Sequence, residues 1–233
     1  MKTPRKKPKP RTRRPGRGTD PARVKQILRR LDKLYPAAHC ALWHSDPWQL
    51  LVATILSAQC TDERVNKVTP ELFLKYPSVY ALAAVQPQEL EPVIHSTGFF
   101  RNKARSIVGA ARKVVSEFGG RVPETMEEIL TLPGVARKTA NVVLGTAFGK
   151  TTGIVVDTHV LRISRRLDLT RQDAPEKIEQ DLMKIIPQAK WIEFGHQVIW
   201  HGRTLCFARQ PRCGECLLDP ICYAGDKWKP KSA

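Results

Sequence analysis

The stretch Leu132–His159, LPGVARKTANVVLGTAFGKTTGIVVDTH, decides how the chain is read. Thr125 and Glu128 have the spacing of a capping box, which predicts a short helix starting there and running to about Leu132. Pro133-Gly134 breaks that helix, because proline cannot continue it and glycine takes backbone angles that other residues avoid. A second helix is predicted from about Ala136 to Phe148, so the segment is a helix-hairpin-helix. Leu132 and Val135 are the apolar anchors of the turn. The amides around Gly134 and Ala136, with the open N-terminus of the second helix, suit a phosphate oxygen.

Working outward, the remaining periodicity is helical almost throughout. Asp20-Pro21 and Asp46-Pro47 each pair an N-cap with proline in the first turn. The first opens a helix through Leu34 with Val24, Ile27, Leu28 and Leu31 on one face. The second opens WQLLVATILSAQ, ending at Gln59, which is apolar nearly all round and therefore a core helix. Helices follow at about 62–76, 78–84, 88–96 and 101–118, the last stopped by Gly119-Gly120, and again at 158–167, 174–186 and 191–205. The one β-branched run, Thr151 to Val156, is short. The fold class is all-α. Arg101, Lys103 and Arg105 read as a solvated face.

The formal charge is +17, from 39 Lys or Arg against 22 Asp or Glu. Such a bias points to a polyanionic partner, since each phosphate neutralised releases counterions. Residues 1–19 hold nine of the basic residues, four prolines and no acid, and read as a disordered basic arm. No apolar run approaches the roughly 20 residues of a membrane span, and no signal peptide follows the basic start. The expectation is an intracellular, monomeric protein without a membrane partner, in the cytoplasm or nucleoid of a bacterium; the arm suits a nuclear or organelle address in a eukaryote or a nucleic-acid tether anywhere, and the sequence does not separate these.

Cys206, Cys213, Cys216 and Cys222 fall within seventeen residues with the spacing C-x6-C-x2-C-x5-C. In a reducing compartment this pattern calls for a shared metal centre rather than disulfides. Zinc and a [4Fe-4S] cluster both accept four thiolates, and spacing alone does not choose between them. Arg209 and Arg212 lie on the loop that the metal would fix, placed to meet phosphates or simply solvated.

The hairpin LPGVARKTANVV, the downstream VDTH and the cysteine spacing together resemble the endonuclease III family of DNA glycosylases. Ala136 stands where that family often has glycine. The resemblance implies a helix-hairpin-helix DNA glycosylase fold, with a six-helix barrel domain at about 40–150 and a cluster-bearing domain made of 20–39 and 151–225. It implies a [4Fe-4S] cluster on the four cysteines and duplex DNA with a damaged base or abasic site as partner. Lys138 would attack the anomeric carbon as a neutral amine, the helix dipole and burial disfavouring its charge. Asp157 would take the proton or face the cationic sugar, while capping the next helix. The Schiff base then permits β-elimination of the 3′ phosphate, giving a bifunctional glycosylase and AP lyase acting on oxidised pyrimidines. Gln59 matches the family's gap-filling residue, and Phe99 an apolar wedge, with core packing the competing role for Phe99 and Phe100. Two rivals remain at this level. One is a monofunctional adenine or mismatch glycosylase, which typically lacks the lysine, and the other a non-catalytic DNA-binding module.

Overall fold

The computed structural model describes residues 18–228, and among these there are eleven α-helices and no strand. The all-α expectation holds. Most of the basic arm lies outside the described residues. Its last two positions depart from the expected disorder: Gly18 is buried, its carbonyl held by the Arg23 guanidinium, and Thr19 is half-buried.

Side-chain caps start the helices where the sequence places them. Asp20 accepts from the Arg23 amide at 3.0 Å and opens α1 (Pro21–Leu34), and Asp46 accepts from the Gln49 amide at 2.8 Å and opens α2 (Pro47–Leu56). After α2 come α3 (Asp62–Lys75), α4 (Val79–Ala84) and α5 (Pro87–Ile94). A 3-10 turn, His95–Thr97, leads into the long α6 (Phe100–Phe118), which ends in the left-handed Gly119. The hairpin pairs α7 (Met126–Ile129) with α8 (Arg137–Phe148), and α9 (Thr158–Arg166), α10 (Pro175–Ile185) and α11 (Trp191–Thr204) complete the helical set.

Buried apolar residues fall into two separate clusters. The first runs from Leu42 to Leu144 around α2, every residue of which from Leu50 to Leu56 is buried. Helix α2 packs on α3, α6 and α8, and α6 in turn on α4 and α5. The second joins Val24, Ile27, Leu28 and Leu31 of α1 to residues between Ile154 and Leu218, with α11 packed on α1 and α9. Arg23, buried on α1, ties this cluster to the C-terminal segment. It donates to the carbonyls of Leu167 and Ile221 at 2.7 Å and stacks over Tyr223 at 4.1 Å. No helix of the described residues is long and apolar enough to cross a membrane.

Two helix ends differ from expectation. Helix α2 stops at Leu56 rather than Gln59: the Cys60 amide bonds the Ser57 carbonyl at 3.1 Å, and Gln59 turns left-handed at φ 53° and stands exposed. Helix α7 stops at Ile129 rather than Leu132, the chain leaving in tight turns from Thr131 to Glu128 and from Leu132 to Ile129. The third difference is chemical. Lys103 is not part of a solvated face; it is 5% exposed inside the first cluster.

Candidate active site and nucleic-acid interface

The hairpin is built on a closed turn, the Val135 amide bonding the Leu132 carbonyl at 3.2 Å, with both side chains buried. Gly134 sits at φ 78°, and a Cβ there would lie 2.5 Å from Cβ of Ser106 on α6, so only glycine lets the turn seat on that helix. Ala136 is the N-cap of α8 and offers no side-chain acceptor, which leaves the first amides of the helix open to an external anion.

Lys138 is the second residue of α8 and is exposed, so the expected contribution of burial is absent in the free protein. Its neighbour Arg137 is fastened. The Arg137 guanidinium donates to the Glu179 carboxylate through Nε at 2.7 Å and Nη2 at 3.2 Å, and Asn141 Nδ2 donates to the same carboxylate at 2.8 Å. Thr152 extends the chain of bonds to Asn141 Oδ1 at 3.1 Å. A Cβ on Gly153 would fall 1.9 Å from Glu179 Oε1, so glycine is what lets the carboxylate reach Asn141. Glu179 is 4% exposed on α10, and this network therefore binds the start of α8 to an element of the second cluster.

Asp157 caps α9, its Oδ1 accepting from the amides of His159 and Val160, both at 2.8 Å. Both bonds fall on one oxygen, and among the described residues no backbone amide donates to Oδ2. Lys138 and Asp157 line a cleft of about 750 Å³ together with Ser57, Gln59, Asp62 and His159, and both also line an adjoining, smaller recess of about 90 Å³. The Arg203–Asp62 ion pair, 2.7 Å, borders both spaces. Burial pulls the His159 imidazole below its usual range, with the charges of Arg162 and Arg203 acting in the same direction against that of Asp157. Arg162 donates to His159 Nδ1 at 3.2 Å and to the Cys206 carbonyl at 2.9 Å, so one side chain spans from the cleft to the cysteine loop.

Phe99 does not line the cleft. It is left-handed at φ 48° and 63% exposed, whereas Phe100 is half-buried against the first cluster and His95. Core packing, expected as one role for the pair, is therefore taken by Phe100 and not by Phe99.

Cys206, Cys213, Cys216 and Cys222 are free and line one cavity with Ile163, Leu167, Leu205 and Leu218. Arg166 donates to Cys206 Sγ at 3.3 Å, and His201 Nε2 lies 3.6 Å from Cys216 Sγ. Burial pushes the Cys216 thiol up to about 11. Among the described residues no group of three donor side chains is arranged to hold a single metal ion. Arg209 and Arg212 are exposed on the loop between Cys206 and Cys213, the latter guanidinium over Phe207 at 5.7 Å and near Glu215 at 3.9 Å.

Sequence reasoning overlooked Glu179, Asp62 and Arg203, and placed buried Lys103 on a solvated face. Periodicity held a signal for two of these four. Glu179 directly follows buried Ile178 and precedes Leu182 by three, and Lys103 precedes Ala104 by one and Ile107 by four, so each lies on the inward stripe of its helix.

The hairpin, the lysine at the start of its second helix and the capping aspartate define a helix-hairpin-helix protein of the base excision repair class. The sequence model described as HhH-GPD superfamily base excision DNA repair protein matches residues 52–188. The chain is 62% identical over 200 residues to Endonuclease III of Synechocystis sp., an alignment covering 86% of this chain and 91% of that protein. It also superimposes on a solved non-covalent Endonuclease III-DNA complex with TM-score 0.82 and 45% identity, covering 87% and 94% of the two chains. A trapped Endonuclease III-DNA covalent intermediate gives TM-score 0.80 and 46% identity, covering 85% and 95%. The chain belongs to the endonuclease III family of this superfamily.

Proposed function

We propose that the chain is a bifunctional DNA N-glycosylase and AP lyase that removes oxidised pyrimidines from duplex DNA and cleaves 3′ to the abasic site. The observation that carries this reading is the meeting of Lys138 and Asp157 in one cleft between the two buried clusters, beside the open amides of the hairpin. A relative with the same fold has been trapped as a covalent intermediate with DNA, which is the outcome an attacking amine would give.

Lys138 Nζ, as the free amine, bonds to C1′ as the bond to the damaged base breaks. Loss of the ring oxygen bond leaves a protonated Schiff base, removal of a C2′ proton then expels the 3′ phosphate, and water releases the enzyme. Asp157 suits both needs of this sequence, since Oδ2 can take the lysine proton or face the developing cation while Oδ1 stays fixed by two amides. The DNA itself would cover exposed Lys138 and remove it from water. Gln59 and Phe99 are read as the side chains that occupy the gap left by the extruded nucleotide. Leu132, Gly134, Val135 and Ala136 form the phosphate-binding hairpin, with Arg209 and Arg212 as further backbone contacts.

The two clusters support a barrel domain at 40–150 and a second domain formed by 20–39 with 151–225. Cys206, Cys213, Cys216 and Cys222 are read as the ligands of a [4Fe-4S] cluster. The apolar cavity they share fits this group, which takes four cysteine thiolates. The group supplies a rigid cross-link for the loop carrying Arg209 and Arg212. The test of function is nicking of abasic duplex DNA by Lys138→Gln: folded protein that has lost strand cleavage is expected, and full cleavage would overturn the lysine mechanism.

A further inference from the structure

Lys103 is a buried cation with no carboxylate at ion-pair distance among the described residues. Its Nζ donates instead to two main-chain carbonyls, Leu56 and Thr97, each at 2.8 Å. Each carbonyl closes a helix: Leu56 is the last residue of α2, and Thr97 the last of the 3-10 turn that follows α5. The negative ends of two helical segments are thus gathered on one ammonium. Burial pulls this lysine below its usual range, so its charge is held at a cost that an apolar side chain of equal length would not incur.

What the two carbonyls have in common is the residue that follows shortly after. Gln59 lies three positions beyond Leu56 and Phe99 two beyond Thr97. Both are exposed and both adopt the left-handed backbone conformation, at φ 53° and 48°, which among the described non-glycine residues is shared only by Asp168 and Gln210. Left-handed backbone at bulky residues persists where the surroundings enforce it. Here one side chain anchors the stems of both loops. We infer that Lys103 is a positioning residue, bracing the two loops so that Gln59 and Phe99 are presented at a set separation to the opened duplex. The inference rests on the proposed entry of those two side chains into DNA. It carries a specific consequence: the brace is needed when a stacked duplex has to be opened and not when the abasic site is already single-stranded.

The test compares cleavage of an abasic site in duplex and in single-stranded oligonucleotide by wild type, Lys103→Met, Gln59→Ala/Phe99→Ala and the triple variant. Lys103→Met is expected to lower kcat/KM on the duplex by about tenfold, with less than about twofold loss on the single strand. In the loop-truncated background the same substitution should cost less than about twofold on either substrate, because the side chains it positions are gone. Equal losses on both substrates, or full additivity with the loop truncations, would overturn the brace. If Gln59→Ala/Phe99→Ala leaves the duplex to single-strand ratio unchanged, the reading of the loops falls and the brace with it. If that double variant lowers the ratio and Lys103→Met does not, the brace alone is wrong. Lys103→Gln, which retains a single donor group, carries the same comparison should Lys103→Met not fold: its ratio should fall about threefold, and an unchanged ratio refutes the inference.

Discussion

Glu179→Gln removes one negative charge from the link between α10 and the start of α8 while keeping the size of the side chain. Its carboxylate accepts three hydrogen bonds, two from Arg137 and one from Asn141, and the carboxylate itself is almost fully buried. Removing one partner of a fully buried ion pair costs about 3–5 kcal/mol. That figure is too large here, because the Arg137 side chain is 43% exposed and can turn to water. What is lost is closer to one charge-assisted bond together with the poor fit of an amide NH2 facing donors, about 2 kcal/mol. For a protein of this size the expected fall in Tm is roughly 4–8 °C, read by circular dichroism. Lys138 follows Arg137 directly, so loosening the first turn of α8 should also lower kcat/KM for abasic-site cleavage by about tenfold. Glu176→Gln, exposed on the same helix, is the control and should melt within about 1 °C of wild type. If Glu179→Gln matched the control in both stability and activity, the network would not restrain α8.

Asp157 separates capping from chemistry. Asparagine is as good an N-cap as aspartate, so Asp157→Asn should melt within about 0.5 kcal/mol of wild type yet lose at least about a hundredfold in abasic-site cleavage, whereas Asp157→Ala should lose about 1 kcal/mol of stability as well. Burial and the charge of His39 both lower the His196 pKa. The unfolded chain therefore takes up this proton near pH 6.5 while the folded chain does so only at lower pH. The stability contributed by neutral His196 is full above about pH 6.5 and is lost as pH falls towards the lowered value. Urea melts at pH 7.5 and 5 should show this acid-side loss, smaller in His196→Gln.

Much of the fold was legible because its signals are local. Asp20-Pro21, Asp46-Pro47 and Gly119-Gly120 act within a turn of where they stand, and Pro133-Gly134 breaks the chain wherever it occurs. The apolar stripe of α1 likewise named the residues it buries. Local signals failed where a distant partner decides. Lys103, Glu179 and Arg23 carry charges that composition assigns to the surface, and only the carbonyls or side chains brought to them by other helices make their burial tolerable. The end of α2 was missed because Ser57-Ala58-Gln59 contains no glycine or proline to stop a helix, and the turn there is held by a lysine from α6. The placement of Lys138 and Asp157 on one cleft rests on that same tertiary packing. The motif named the residues without showing what encloses them.

Borohydride trapping on duplex DNA carrying one thymine glycol, with wild type and Lys138→Gln in parallel, tests the central claim most directly. Reduction of a Schiff base should link wild-type protein covalently to DNA and leave Lys138→Gln unlinked. Base release by wild type with no adduct from either protein would contradict amine catalysis and make the chain a monofunctional glycosylase.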